Sequence, residues 1–166
     1  MELVNRVAQS GIVTIDLEQL IDDHQIVELD ISQFLFKGLL LREKEFRTAL
    51  RTYDWEQFRD KTVAVFCSTD AIVAQWAYML ISNHLMNIAK DFYWGTKDIV
   101  WQEILIQTIR QLDQEEYHDK RIIIKGCGKR PLPDAAYLEI TKRLLPIVKT
   151  LMFGEACSTV PVYKKR

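Results

Sequence analysis

The sequence has little of what marks specialised chains. Apolar stretches such as Leu39–Leu41 and Ile104–Ile106 are a few residues long, far below the roughly 18 that cross a bilayer, so no membrane span is expected. An excess of one charge is also missing: 22 Lys plus Arg stand against 23 Asp plus Glu. No overall positive field gathers nucleic acid or an anionic membrane surface, and neither is expected as a partner. The only basic run, Lys164-Lys165-Arg166, reads as a solvated terminus. Met1 to Arg6 lacks a basic region leading into an apolar core, which argues against a secretory signal and for the cytoplasm. Cysteines number three, an odd count with no CxxC pair. In a chain with no export signal that argues against a disulfide framework and leaves reduced thiols or a metal site. The six glycines are scattered and no low-complexity linker divides the chain, so residues 1–166 are expected to form one domain.

What is present is a repeated pattern. With Asp60-Lys61 set on Asp119-Lys120, an offset of 59, Ala77-Tyr78 falls on Ala136-Tyr137, Leu85 on Leu144, Ile88 on Ile147, Lys90 on Lys149 and Gly95 on Gly154. Residues 58–95 and 117–154 therefore read as copies of one strand-helix-strand unit. In the first copy Thr62–Phe66 is a β-branched run, Ser68 or Thr69 would cap a helix, and Ile72, Trp76, Met79 and Leu80 recur at helical spacing. In the second, Pro133 and Asp134 open the helix, Leu138, Leu145 and Val148 fall inside it, and Pro146 ends it. Between the copies, Thr96 to Asp113 carries a helical apolar stripe from Val100 to Leu112. The expected fold is α/β: a four-stranded, mostly parallel sheet from a duplicated βαβ unit. Residues 1–57 hold candidate strands at Ile12–Ile15 and Ile26–Ile31 and a helix at Arg42–Tyr53. They are read as an antiparallel amino-terminal extension with a covering helix.

Such a topology brings the loops after all four strands to one sheet edge, where ligand sites of open α/β sheets form. Cys67 follows strand 62–66, Cys127 follows strand 121–125 and Cys157 comes three residues after strand 150–154. At the offset of 59, Cys67 and Cys127 match within one residue, and Cys157 matches Asp98. Thiolates on rigid strand ends suit zinc or iron in tetrahedral sulfur coordination. A fourth ligand is available from Asp70, Asp98, Glu155 or solvent. The bland alternative is three small apolar core residues.

The cysteines also fall where helices are expected to begin, and a helix amino end lowers a thiol pKa and attracts anions. Gly126-Cys127-Gly128-Lys129-Arg130 adds two glycines and two cations, which makes an anion or cofactor pocket using Lys129 and Arg130 plausible; the alternative is two solvated loop charges. The GxxxxGK[ST] spacing of a P-loop is missing, and no Arg follows a cysteine by six residues. His24, His84 and His118 read as surface or packing residues, and no His near Cys or Ser supports a hydrolase triad. Trp76, Tyr78 and Trp94 read as core aromatics.

Several segments carry a resemblance: Val4-Asn5-Arg6-Val7-Ala8, Cys67-Ser68-Thr69-Asp70-Ala71-Ile72-Val73 with Trp76-Ala77-Tyr78-Met79, Asp119-Lys120-Arg121 with Lys125-Gly126-Cys127, and Gly154-Glu155-Ala156-Cys157-Ser158-Thr159-Val160-Pro161. Over nearly the whole chain the sequence resembles a bacterial family catalogued as domain of unknown function 2480. Ala74 stands where that family's pattern has proline. The resemblance brings no activity; it implies an association with iron-sulfur cluster assembly genes, and hence iron-sulfur assembly proteins as partners. The leading expectation is an accessory protein that binds zinc or iron through Cys67, Cys127 and Cys157, with Asp70 as the oxygen ligand. Two alternatives stand beside it: a thiol transferase or redox protein using Cys67 or Cys127 to accept a persulfide or acyl group, and a non-catalytic interaction module with structural cysteines. A homodimer through a sheet edge is left open.

Overall fold

Ile12–Ile15 (β1) and Ile26–Asp30 (β2) each open on an Ile-Val pair, and each pairs in parallel with a later strand in the computed structural model, which describes residues 11–22, 25–126 and 128–166. The further strands are β3 (Thr62–Phe66), β4 (Asp91–Trp94), β5 (Arg121–Ile124), β6 (Thr150–Glu155) and β7 (Ser158–Lys164). Four α-helices accompany them among the described residues: α1 (Glu43–Thr52), α2 (Gln75–Leu85), α3 (Lys97–Gln111) and α4 (Asp134–Leu144). One sheet has the order β1-β5-β6-β7, parallel except for the antiparallel β6–β7 pair; the other has the order β2-β3-β4, parallel throughout.

The fold is thus α/β with a four-stranded, mostly parallel sheet, and it corrects two expectations. The four strands read as one sheet divide between two, because each sheet takes its first strand from the amino-terminal segment. That segment pairs in parallel, Ile12 opposite Arg121 and Ile26 opposite Thr62, and the antiparallel pairing lies at the carboxyl end instead. Both strands mix buried with exposed positions, a pattern that marks partial cover but carries no information about the direction of the neighbouring strand.

The chain divides into two compact units, one comprising the residues through Asp22 with Gln102–Arg166, the other Asp23–Trp101, so that the division falls inside α3. Their elements occur at a constant offset of 59: the 3-10 turns Glu56–Phe58 and Glu115–Tyr117, then α2 and α4. Asp60 and Asp119 both take positive φ, 60° and 56°, as do Gly95 and Gly154 at 131° and 122°. The Asp60 amide donates to the Ile88 carbonyl at 3.0 Å, and the Asp119 amide to the Ile147 carbonyl at 2.8 Å.

In the second unit the core gathers Leu29, Phe46, Leu50, Val63, Ile81 and Leu85. Phe34 meets Tyr53 edge-on at 4.9 Å between centroids, and the Trp55 indole N–H donates to the Leu50 carbonyl at 2.8 Å. His84 lies flat on Trp55 at 4.7 Å, and burial pushes its pKa down, so it is a packing residue as expected. In the first unit Ile122, Ile123 and Ile124 are all buried, because both faces of β5 are covered.

Helix α2 begins at Gln75 with Ala74 as its cap residue, several positions later than Ser68 and Thr69 suggest. It buries Ala77, Ile81 and Leu85, and leaves Met79 exposed. Its counterpart α4 buries Ala136, Ile140 and Leu144, leaves Leu138 exposed, and stops before Pro146. Trp94, expected in a core, is 70% exposed. Ile81 and Ile140 occupy corresponding, fully buried positions. Truncating either, Ile81→Ala or Ile140→Ala, is expected to cost about 2–5 kcal/mol in urea unfolding, and a cost below ~1 kcal/mol at either site would contradict this packing.

Candidate functional site

The loops after β3 and β5 were the sequence's candidates, and each is organised by a carboxylate at the end of the neighbouring first strand. In the second unit Asp30 ends β2 and caps the 3-10 turn Ile31–Phe34: its Oδ1 accepts from the Ser32 amide at 3.0 Å. The same oxygen accepts from the Ser68 amide at 3.1 Å, and Oδ2 from the Ser68 hydroxyl at 2.5 Å. The Ser32 and Ser68 hydroxyls lie 3.2 Å apart. Partial burial pushes the Asp30 carboxyl up, but the bonds from Ser68 and Ser32 outweigh it and hold the group below its ordinary value.

Cys67, directly after β3, is a half-buried free thiol packed against the second unit's core. Its Sγ lies 3.4 Å from the Thr69 hydroxyl, which donates to the Gly38 carbonyl at 2.5 Å. Ser68 and Thr69 therefore look like helix caps in the sequence but bond to Asp30 and Gly38. Asp70 is exposed in the loop that leads to α2. Seven residues lie between Cys67 and Gln75, so this thiol does not sit at the amino end of the helix.

In the first unit Asp16 plays the part of Asp30. Its Oδ1 accepts from the Glu18 amide at 3.1 Å as it caps the turn Leu17–Leu20, and Oδ2 accepts from the Lys125 ammonium at 2.8 Å. The bond and charge of Asp16 raise the Lys125 pKa. In the loop read as an anion pocket, two backbone amides are taken by a side chain of this chain. The Glu18 carboxylate accepts from the Lys129 amide at 3.1 Å and from the Arg130 amide. A Cβ on Gly128 would run into that carboxylate. The loop's amides hold an anion, and the anion is the chain's own Glu18. Lys129 is exposed and Arg130 half-buried.

Cys157 is an exposed free thiol in the two-residue turn Ala156-Cys157 between β6 and β7, closed by the Glu155–Ser158 pair. It opens a strand rather than a helix, and the sequence reading missed that strand although Thr159-Val160-Pro161-Val162-Tyr163 follows the turn. Cys67 and Cys157 belong to different units. Cys127, and His24 with it, lies outside the described residues. Among the described residues no group of three or more His, Cys, Asp or Glu side chains is placed to hold a metal ion. No helix among them is long and apolar enough to cross a membrane.

The sequence reading also missed Asp16, Glu18, Asp30 and Ser32. The available signal was an offset of 14, which sets Ile12-Val13 on Ile26-Val27, Asp16 on Asp30 and Gln19 on Gln33.

The model of a family described as "Protein of unknown function (DUF2480)" matches residues 1–165. No curated protein and no solved structure matches the chain.

Two outcomes follow from this geometry. Asp30, depressed below its ordinary value of 3.8, contributes stability that is present above that value and lost as pH falls through the folded-state value. Asp30→Asn should therefore flatten the acid limb of stability below pH 3.8; thermal melting against pH checks it, and an unchanged limb contradicts it. Glu18→Ala should speed amide exchange at Lys129 and Arg130 by about tenfold or more, read by NMR, and unchanged protection would mean that Glu18 does not order this loop.

Proposed function

The chain belongs to the DUF2480 family, and from that premise we propose that it is a non-catalytic interaction module whose cysteines are structural. One contrast carries the reading. At the carboxyl ends of the strands, where open α/β sheets bind ligands, Glu18, Asp30 and Thr69 are engaged with the chain itself. Large apolar side chains, by contrast, stand exposed on ordered elements. Phe36, Leu39 and Leu40 are 37%, 59% and 53% exposed on a turn closed by the Phe36 amide donating to the Leu40 carbonyl at 2.8 Å. The Arg42 guanidinium sits 3.4 Å over the Phe36 ring. Exposed apolar clusters mark contact surfaces, and a turn already ordered loses little entropy on binding. Met79 and Leu138 add an exposed apolar residue at corresponding positions of α2 and α4. The matching elements at the offset of 59 support an origin by duplication, with one copy inserted after the first strand of the other.

Metal binding is the second reading: zinc or iron held by Cys67, Cys127 and Cys157 with Asp70, in a cytoplasmic accessory role beside iron-sulfur assembly proteins. What favours it is that both described cysteines are free thiols.

Protein purified without chelators and assayed for zinc and iron separates the two. The interaction reading expects far less than one metal per chain. Stoichiometric metal that a Cys67→Ala, Cys127→Ala, Cys157→Ala variant loses would overturn it. The same reading expects the pair Leu39→Asp and Leu40→Asp to leave melting unchanged, within about 0.5 kcal/mol each. A loss well beyond that would assign these side chains to the fold instead of a surface.

A further inference from the structure

We infer that the first unit carries a binding pocket for a small, uncharged, largely apolar molecule between α4 and the β5-β6-β7 sheet, an inference that rests on the interaction-module reading and gives it a ligand class. The cavity measures about 320 Å³ and is lined by Ile124, Leu151, Met152 and Phe153 from the sheet, Tyr137, Ile140 and Thr141 from α4, and Val162 from β7. No lining residue is charged. A cavity of this size lies at the small end of small-molecule pockets, too small for a helix or a strand of a partner, which sets the occupant as one molecule of about two rings. Thr141 is the small polar residue of the lining, of the kind such pockets use to orient a ligand.

Comparison within the chain explains why the space exists here. At the offset of 59, Leu151 corresponds to Phe92, a side chain packed against the second unit's core. Leucine is the smaller, and the exchange removes bulk from the position facing the helix. The second sheet ends at β4, whereas the first continues into β7, whose Val162 supplies an outer wall. Phe153 is held to one side: its ring meets the Tyr137 ring edge-on at 5.7 Å and lies over Gly126, where a Cβ would approach it to 2.7 Å. Gly126 thereby lets an aromatic wall stand beside the cavity instead of filling it.

N-phenyl-1-naphthylamine, neutral and of two-ring size, is the probe. Fluorescence titration of the full chain should show saturable, blue-shifted binding. Thr141→Trp, which fills the cavity, and Val162→Trp, which covers its mouth from an exposed strand position, should each weaken it by about tenfold or more, with far-UV circular dichroism and melting confirming that the variant read is folded. Absence of saturable binding to the wild-type chain, or unchanged affinity in a folded variant of either kind, overturns the pocket. The metal assay fails or succeeds independently of this titration, so loss of the pocket and loss of the interaction-module reading are distinguishable.

Discussion

Asp16 directly follows β1 and Asp30 ends β2; each caps the 3-10 turn that comes next and reaches the segment after the neighbouring parallel strand, at Lys125 and at Ser68. A short parallel strand has no hairpin to fix its register, so a bond across the strand ends does that work. In β1 and β2 the register pairs Ile15 with Ile124 and Leu29 with Val65, just before each aspartate. Without the carboxylates, the part-buried amides of Glu18 and Ser32 and the exposed amide of Ser68 would lose their acceptors, and an unpaired amide shielded from water costs about 1–3 kcal/mol.

The same constraint shapes what the molecule can do. Loops that would cradle a ligand in another α/β fold are closed by groups of this chain. Glu18 occupies the amides of Lys129 and Arg130, and Ser68 is drawn onto Asp30. Large apolar side chains stand exposed at the Phe36–Leu40 turn in one unit, and apolar side chains line the α4 cavity in the other. The cysteines follow the architecture: Cys67 packs at a strand end and Cys157 occupies a hairpin turn.

Strands β3 and β5 were legible in the sequence because β-branched runs buried on both faces have few other readings, and α3 because its apolar spacing is helical over about four turns. Sheet membership was not legible. The 59-residue recurrence fixes which elements correspond, yet nothing local says that β1 pairs with β5 across the whole second unit. Ser68 and Thr69 misled because hydroxyls before an apolar stretch look the same whether they cap a helix or bond to a distant Asp30 or Gly38. The loop read as an anion pocket shows why the site was not legible: its Lys129 and Arg130 amides bond to a glutamate more than a hundred residues away, Glu18, which no local pattern announces.

The central claim, that the strand-end carboxylates serve the fold, has a direct test in the sign of a stability change. Groups kept for catalysis or ligand binding are commonly held at a cost, so removing them stabilises a protein, whereas removing structural acceptors destabilises it. Urea unfolding of an Asp16→Ala, Asp30→Ala variant against the wild-type chain reads that sign. The account predicts a loss of about 2–5 kcal/mol for the pair, and an unchanged or increased stability would contradict it.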